Sequence, residues 1–227
     1  MDQFSAPGIY YFQKKKYLPI KGFVGQDLRR PLVTKFVELH TGGRSLRDSQ
    51  CPEASSSFSH PPIVHALLLE MLPEMEARTG LSLSPTYGYL RVYGAGESLD
   101  YHSDRPSCEI SASITLGRSS PNPWPLWIEN PDDKTDQRSF DLEPGDAVIY
   151  RGCEVPHWRE KFQPSEEDDW QCQVFLHYVD RFGPHSHLTF DGNDRLFVTP
   201  YVLLSSVYPE MKKRFQIEEV GDDNAGP

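Results

Sequence analysis

Tyr87-Gly88-Tyr89-Leu90-Arg91-Val92-Tyr93, Gly94-Ala95-Gly96 and Leu99-Asp100-Tyr101-His102-Ser103-Asp104 decide the reading of this chain. The first stretch is rich in aromatic and β-branched residues and reads as a strand, the glycines read as a turn, and the third stretch reads as an extended segment. In an extended chain residues i and i+2 share a face, so His102 and Asp104 can grip one ion from the same side. His157, 53 positions after Asp104, completes a set of two imidazoles and one carboxylate. Such a set covers one face of an iron ion and leaves three coordination positions open. With eight His in the chain, about 0.6 His-x-Asp tripeptides are expected by chance, so the setting of the tripeptide has to carry the argument.

That setting is a series of short strands. Residues 109–116 alternate polar and apolar side chains, 124–128 form a short apolar run, Gly145-Asp146 turns into 147–150, residues 155–159 deliver His157, and 172–179 close the series. This order resembles the 2-oxoglutarate- and Fe(II)-dependent dioxygenases, particularly their prolyl-hydroxylase-like branch, over about residues 86–180. Tyr93-Gly94-Ala95-Gly96 ahead of His102-x-Asp104 looks like the branch's Tyr-x-x-Gly lead-in, and Gly145-Asp146 looks like its turn before the distal histidine.

The resemblance implies a mainly β fold with flanking helices, built on a double-stranded β-helix (jelly-roll, cupin-like) core. It implies Fe(II) held by His102, Asp104 and His157, with 2-oxoglutarate as cosubstrate and O₂ as oxidant. Oxidative decarboxylation to succinate then drives hydroxylation, and Tyr93 hydrogen-bonds the cosubstrate. Halogenating relatives replace the carboxylate with a small residue, so the presence of Asp104 implies an oxygen-derived product. Gln171 stands where the branch carries an Arg or Lys for the far carboxylate of 2-oxoglutarate. A buried dicarboxylate still needs a cationic partner. Three arginines could replace the missing cation: Arg159, two residues beyond His157 on the same strand face; Arg91, sharing a face with Tyr89 and Tyr93; and Arg118. Arg159 ranks first, because guanidinium suits bidentate pairing with a carboxylate.

At 227 residues the chain suits one domain, expected over residues 1–217. Residues 1–85 form a covering strand and helices, 86–180 the β-helix core, 181–217 a C-terminal extension and 218–227 a disordered tail. Residues 8–13 read as a strand, 26–40 as an amphipathic helix, 44–60 as a polar loop, and Pro61-Pro62 opens a second helix that Gly80 ends. No apolar run approaches a bilayer span and the start has no signal-peptide pattern, so the protein is expected in the cytoplasm and off the membrane. The four cysteines show no Cys-x-x-Cys spacing, which argues against a zinc cluster or disulfide framework. The formal charge is −10, and residues 1–47 carry nine Lys and Arg against three acids. An acidic chain without a long basic stripe is a poor nucleic-acid binder.

Single histidines such as His40, His60 and His65 read as structural, as do His185 and His187 in their Gly/Pro loop. Tyr89 and Tyr150 read equally as core or as site residues, and Trp124, Trp127 and Trp158 as packing or a substrate platform. The mouth is expected from residues 130–137, the acidic stretch 163–169 and part of the region after Val179. The favoured function is hydroxylation of a small molecule such as an amino acid or metabolite. The alternatives are a prolyl-type protein hydroxylase, an AlkB-type nucleic-acid demethylase and a non-catalytic sensor of metal or 2-oxoglutarate.

Overall fold

A computed structural model describes residues 6–43, 55–199 and 207–220. In chain order the elements are α1 (Ala6–Lys15), β1 (Tyr17–Ile20), α2 (Gln26–Thr41), β2 (Ser56–Ser59), α3 (Pro62–Thr79), β3 (Leu83–Tyr93), β4 (Leu99–His102), β5 (Ile110–Arg118), β6 (Leu126–Asn130), β7 (Asp133–Phe140), β8 (Ala147–Tyr150), β9 (His157–Arg159), β10 (Gln171–Asp180), β11 (Leu196–Val198), α4 (Val207–Arg214) and β12 (Ile217–Glu219). A six-stranded sheet runs β1-β8-β5-β10-β3-β2, and a four-stranded sheet runs β4-β9-β6-β7. Their pairings are antiparallel, and together they form the jelly-roll core that the family resemblance implies.

Strand alternation explains how a polar chamber and an apolar core share one sheet. On β5, Ala112, Ile114 and Leu116 join the core with α2 and α3, as do Cys172, Val174, Leu176 and Tyr178 of β10. The intervening residues, Ser111, Ser113 and Thr115 on β5 and Gln171, Gln173 and His177 on β10, are buried polar side chains on the other face. The helix α3 is apolar nearly all round, with eleven buried residues, as a helix sandwiched between layers must be. It can lie so close to β3 because residue 88 is glycine: a Cβ there would fall 2.5 Å from Val64 Cγ1. The Tyr178 hydroxyl donates to the Leu68 carbonyl (2.8 Å) and ties β10 to this helix.

Several expectations are corrected. Residues 8–13 belong to a helix, and the first strand follows it at Tyr17. The aromatic run Tyr10-Tyr11-Phe12 suggests a strand, yet Tyr10 and Tyr11 are exposed while Phe12 is buried, and Lys14 and Lys15 lie in the last turn, where the helix dipole favours cations. The polar stretch 44–60 contains β2 at its end, and residues 44–54 lie outside the described residues. Glu218 and Glu219, expected in a disordered tail, lie in β12, parallel to β11, and 221–227 of that expected tail lie outside the described residues. His65 is structural: it is buried and its Nδ1 bonds the Phe197 carbonyl at 2.8 Å.

Candidate metal and cosubstrate site

His102 ends β4 and faces His157 on β9 as a direct cross-strand pair. Asp104 lies beyond the end of β4, so the i, i+2 strand argument holds only in its result. What brings the carboxylate round is a backbone bond from the Asp104 N–H to the Gly152 carbonyl (2.8 Å). Asp104 Oδ1 then lies 3.6 Å from His102 Nε2 and 3.7 Å from His157 Nε2, and the ligand atoms of the three residues lie within 4.8 Å of one another.

The backbone sets the tautomers. His102 Nδ1 is 2.7 Å from the Asp100 carbonyl and His157 Nδ1 is 3.0 Å from the Val155 carbonyl. A carbonyl only accepts, so each Nδ1 carries the proton and each Nε2 turns a lone pair toward Asp104. Burial lowers the pKa of His157. It pushes the Asp104 carboxyl the other way, but the three imidazoles of His102, His157 and His177 outweigh it and hold Asp104 below its ordinary value. The hydrogen bond that a protonated His102 ring could donate to Asp104 raises the pKa of His102. A neutral imidazole beside an ionised carboxylate is the protonation state that a divalent cation requires.

Two residues that sequence reasoning passed over support this set. Ser111 Oγ lies 3.2 Å from Asp104 Oδ2. Gly152 packs so tightly that a Cβ there would fall 2.1 Å from the Cys108 carbonyl oxygen and 2.5 Å from Asp104 Oδ2. Gly152→Ala should therefore weaken metal binding at least tenfold, about 1.4 kcal/mol, with circular dichroism unchanged. Unaltered metal affinity would show that the turn yields without moving Asp104. Gly152 carries no sequence signal, because its constraint is a close approach and not a turn of unusual φ.

A cavity of about 600 Å³ opens beside the triad, lined among others by Tyr87, Tyr89, Arg91, Tyr93, Phe175 and His177. Arg91 donates to the hydroxyls of Ser57 (3.1 Å), Tyr93 (3.3 Å) and Tyr89 (2.7 Å). Tyr150 Oη is 3.4 Å from His157 Nε2, and burial pushes its pKa well above the ordinary value. Arg159 does not line the cavity. It is fully enclosed, lies over the Trp124 ring (4.8 Å) and donates to the Trp124 carbonyl, and burial pushes its pKa down to about 10. Its Nε and Nη2 have no hydrogen-bond partner among the described residues, nor do Gln171 Oε1, Gln173 Oε1 and Ser113 Oγ. Arg118 is committed elsewhere, to Asp141 and Glu143.

The expected mouth is largely corrected. Neither 130–137 nor 163–169 lines the cavity. Asp169 bonds Ser119 and Ser165, beyond the end of β5 that lies away from Ser111. The region after Val179 does reach the site, since Asp191 holds the cavity-lining Arg105 through two bonds of 2.7 and 2.9 Å. Trp127 and Trp158 stack on each other (5.8 Å) without lining the cavity, so they pack the smaller sheet instead of forming a platform.

No family model matches this sequence, and no curated protein matches it. Solved structures do share its fold. A prolyl-4-hydroxylase from Pseudomonas putida aligns with a TM-score of 0.61 at 16% identity over 77% of this chain and 98% of that one. HygX from Streptomyces hygroscopicus with nickel, 2-oxoglutarate and hygromycin B bound gives 0.61 at 13% identity, over 88% and 94%. EctD from S. alaskensis gives 0.59 at 15% identity, over 96% and 88%. The chain has the fold of the 2-oxoglutarate oxygenases.

Proposed function

We propose that this chain is an Fe(II)- and 2-oxoglutarate-dependent oxygenase that hydroxylates a small molecule. The observation that carries the reading is the convergence of His102 Nε2, His157 Nε2 and Asp104 Oδ1 beside a cavity, with both imidazoles oriented by backbone carbonyls. Iron, 2-oxoglutarate and O₂ supply the oxidising chemistry when bound. The donor set fits iron: two neutral nitrogens and one carboxylate on one side leave the other side for the cosubstrate and O₂.

The chain's own residues also fit a dicarboxylate. Arg159 is a buried guanidinium with two unpartnered nitrogens, Nε and Nη2, and an unpaired charge of this kind costs several kcal/mol. The far carboxylate of 2-oxoglutarate would supply the missing acceptor. Tyr93 and Tyr150 line the cavity and lie close enough to Arg159 to bear on its charge. Arg91, which lines the cavity itself, is the competing anchor.

The cavity volume suits a small ligand, and one protein of this fold was solved with hygromycin B bound. No helix among the described residues is long and apolar enough to cross a membrane, and the reading places the enzyme in the cytoplasm, acting on a metabolite. The test is succinate release from 2-oxoglutarate by the iron-loaded protein across metabolites, prolyl peptides and methylated oligonucleotides. Stimulation by a metabolite is expected. Stimulation by a peptide or oligonucleotide alone would replace the substrate assignment, and 2-oxoglutarate binding with no succinate under any condition would make the protein a sensor.

A further inference from the structure

His177 lines the cavity near the triad, and the oxygenase reading leaves it without a task. One ligating atom each from Asp104, Cys108 and His177 lie within 4.8 Å of one another. The Tyr87 ring packs against the imidazole (4.6 Å), and the Tyr87 hydroxyl is taken up by Cys108 Sγ (3.1 Å). No residue within the β10 sequence suggests a partner for His177; that partner comes from the neighbouring strand.

Ser111 Oγ sits 3.0 Å from the Cys108 carbonyl, 3.2 Å from Asp104 Oδ2 and 2.9 Å from His177 Nδ1. A hydroxyl has one proton, and two of these three neighbours can only accept. If the proton went to His177, the hydroxyl oxygen would face a carbonyl and a carboxylate with nothing to offer either. It therefore goes to one of those two oxygens, and His177 Nδ1–H donates to Ser111. The consequence lies at the other end of the ring: in a neutral imidazole with Nδ1 protonated, Nε2 is a bare acceptor. Burial favours the neutral form, and Nε2 has no hydrogen bond among the described residues.

Resting on the oxygenase reading, we propose that His177 is a specificity-determining residue whose Nε2 accepts a hydrogen bond from an O–H or N–H of the substrate. The substrate class is then a hydrogen-bond donor, such as an alcohol, phenol, amine or amide, with the donor group close to the carbon presented to the metal. The aromatic walls Tyr87, Tyr89 and Phe175 take the apolar part of such a molecule. A site built to satisfy a buried acceptor rejects an analogue that lacks the donor more strongly than a purely apolar site can. Ser111 acts as a positioning residue, through the tautomer it imposes.

The experiment uses the Zn(II)- and 2-oxoglutarate-loaded, ¹⁵N-labelled protein, with phenol and anisole as probes that differ in the donor. Long-range ¹H–¹⁵N spectra, assigned with His177→Leu, should show an unprotonated Nε2 that shifts upfield on adding phenol. Phenol should bind at least tenfold more tightly than anisole, and the preference should vanish in His177→Leu. Ser111→Ala should bring the other tautomer into the spectrum. A protonated Nε2 in the wild type, equal affinity for the two probes, or no shift with phenol would overturn the proposal. None of these readouts needs turnover. A positive result without succinate release from the iron-loaded protein would overturn the oxygenase reading alone, and the converse would overturn only the role of His177.

Discussion

Asp104→Ala and His102→Ala should each abolish bound iron and reduce 2-oxoglutarate turnover by at least a thousandfold, about 4 kcal/mol. Asp104 is the sole carboxylate between two Nε2 lone pairs, so its loss leaves neutral donors and no countercharge. Asp104→Asn is the control that keeps the shape held by Ser111 while removing the charge, and it should fail nearly as completely. Metal analysis of the purified proteins reads the result, with thermal unfolding to show that the fold survives. Equal iron in wild type and His157→Ala would remove His157 from the set.

The second large effect is expected at Arg159. Arg159→Ala should raise the 2-oxoglutarate requirement roughly a hundredfold or more, the usual consequence of truncating one partner of a buried, hydrogen-bonded charge pair, while leaving iron bound. Anaerobic titration of the charge-transfer absorption that appears when 2-oxoglutarate chelates Fe(II) gives the affinity without turnover. An independent sign distinguishes an anion site from a structural arginine. Without ligand, Arg159→Met should melt at a higher temperature than wild type, because a buried unpaired charge is replaced by an apolar chain. With metal and 2-oxoglutarate the order should reverse by linkage. If Arg91→Ala loses 2-oxoglutarate and Arg159→Ala does not, the anchor is the strand that carries Tyr89 and Tyr93.

The convergence of His102, Asp104 and His157 and the strand series around them were legible because residue types, alternation and turn residues are local signals. The helix at Pro62–Thr79 was legible for the same reason, with proline at its start and Gly80 at φ +72° at its end. What stayed hidden depends on contacts between distant segments. The supports Ser111 and Gly152 are ordinary residues until Asp104 is laid against them. Tyr10-Tyr11-Phe12 misled because an aromatic run is scored as a strand, although only packing decides which ring is buried. The mouth was misplaced because polarity identifies loops but not the end of the barrel at which they lie.

The two sheets also differ in what stands behind them. The larger sheet is backed by α2 and α3, and three of its four inner strands, β3, β5 and β10, run for nine to eleven residues. The histidine-bearing strands β4 and β9 have four and three residues, and β7, at the far edge of the same sheet, is mostly exposed. Opening of β4 from β9 is thus a low-cost excursion that leaves the helix-backed layer intact. An ion held by His102 and His157 would join those two strands and fasten this short-stranded edge of the barrel. Its escape would then be governed by the breathing of a few peptide groups, and amide hydrogen exchange at β4 and β9 should slow on metal binding while β5 and β10 exchange as before.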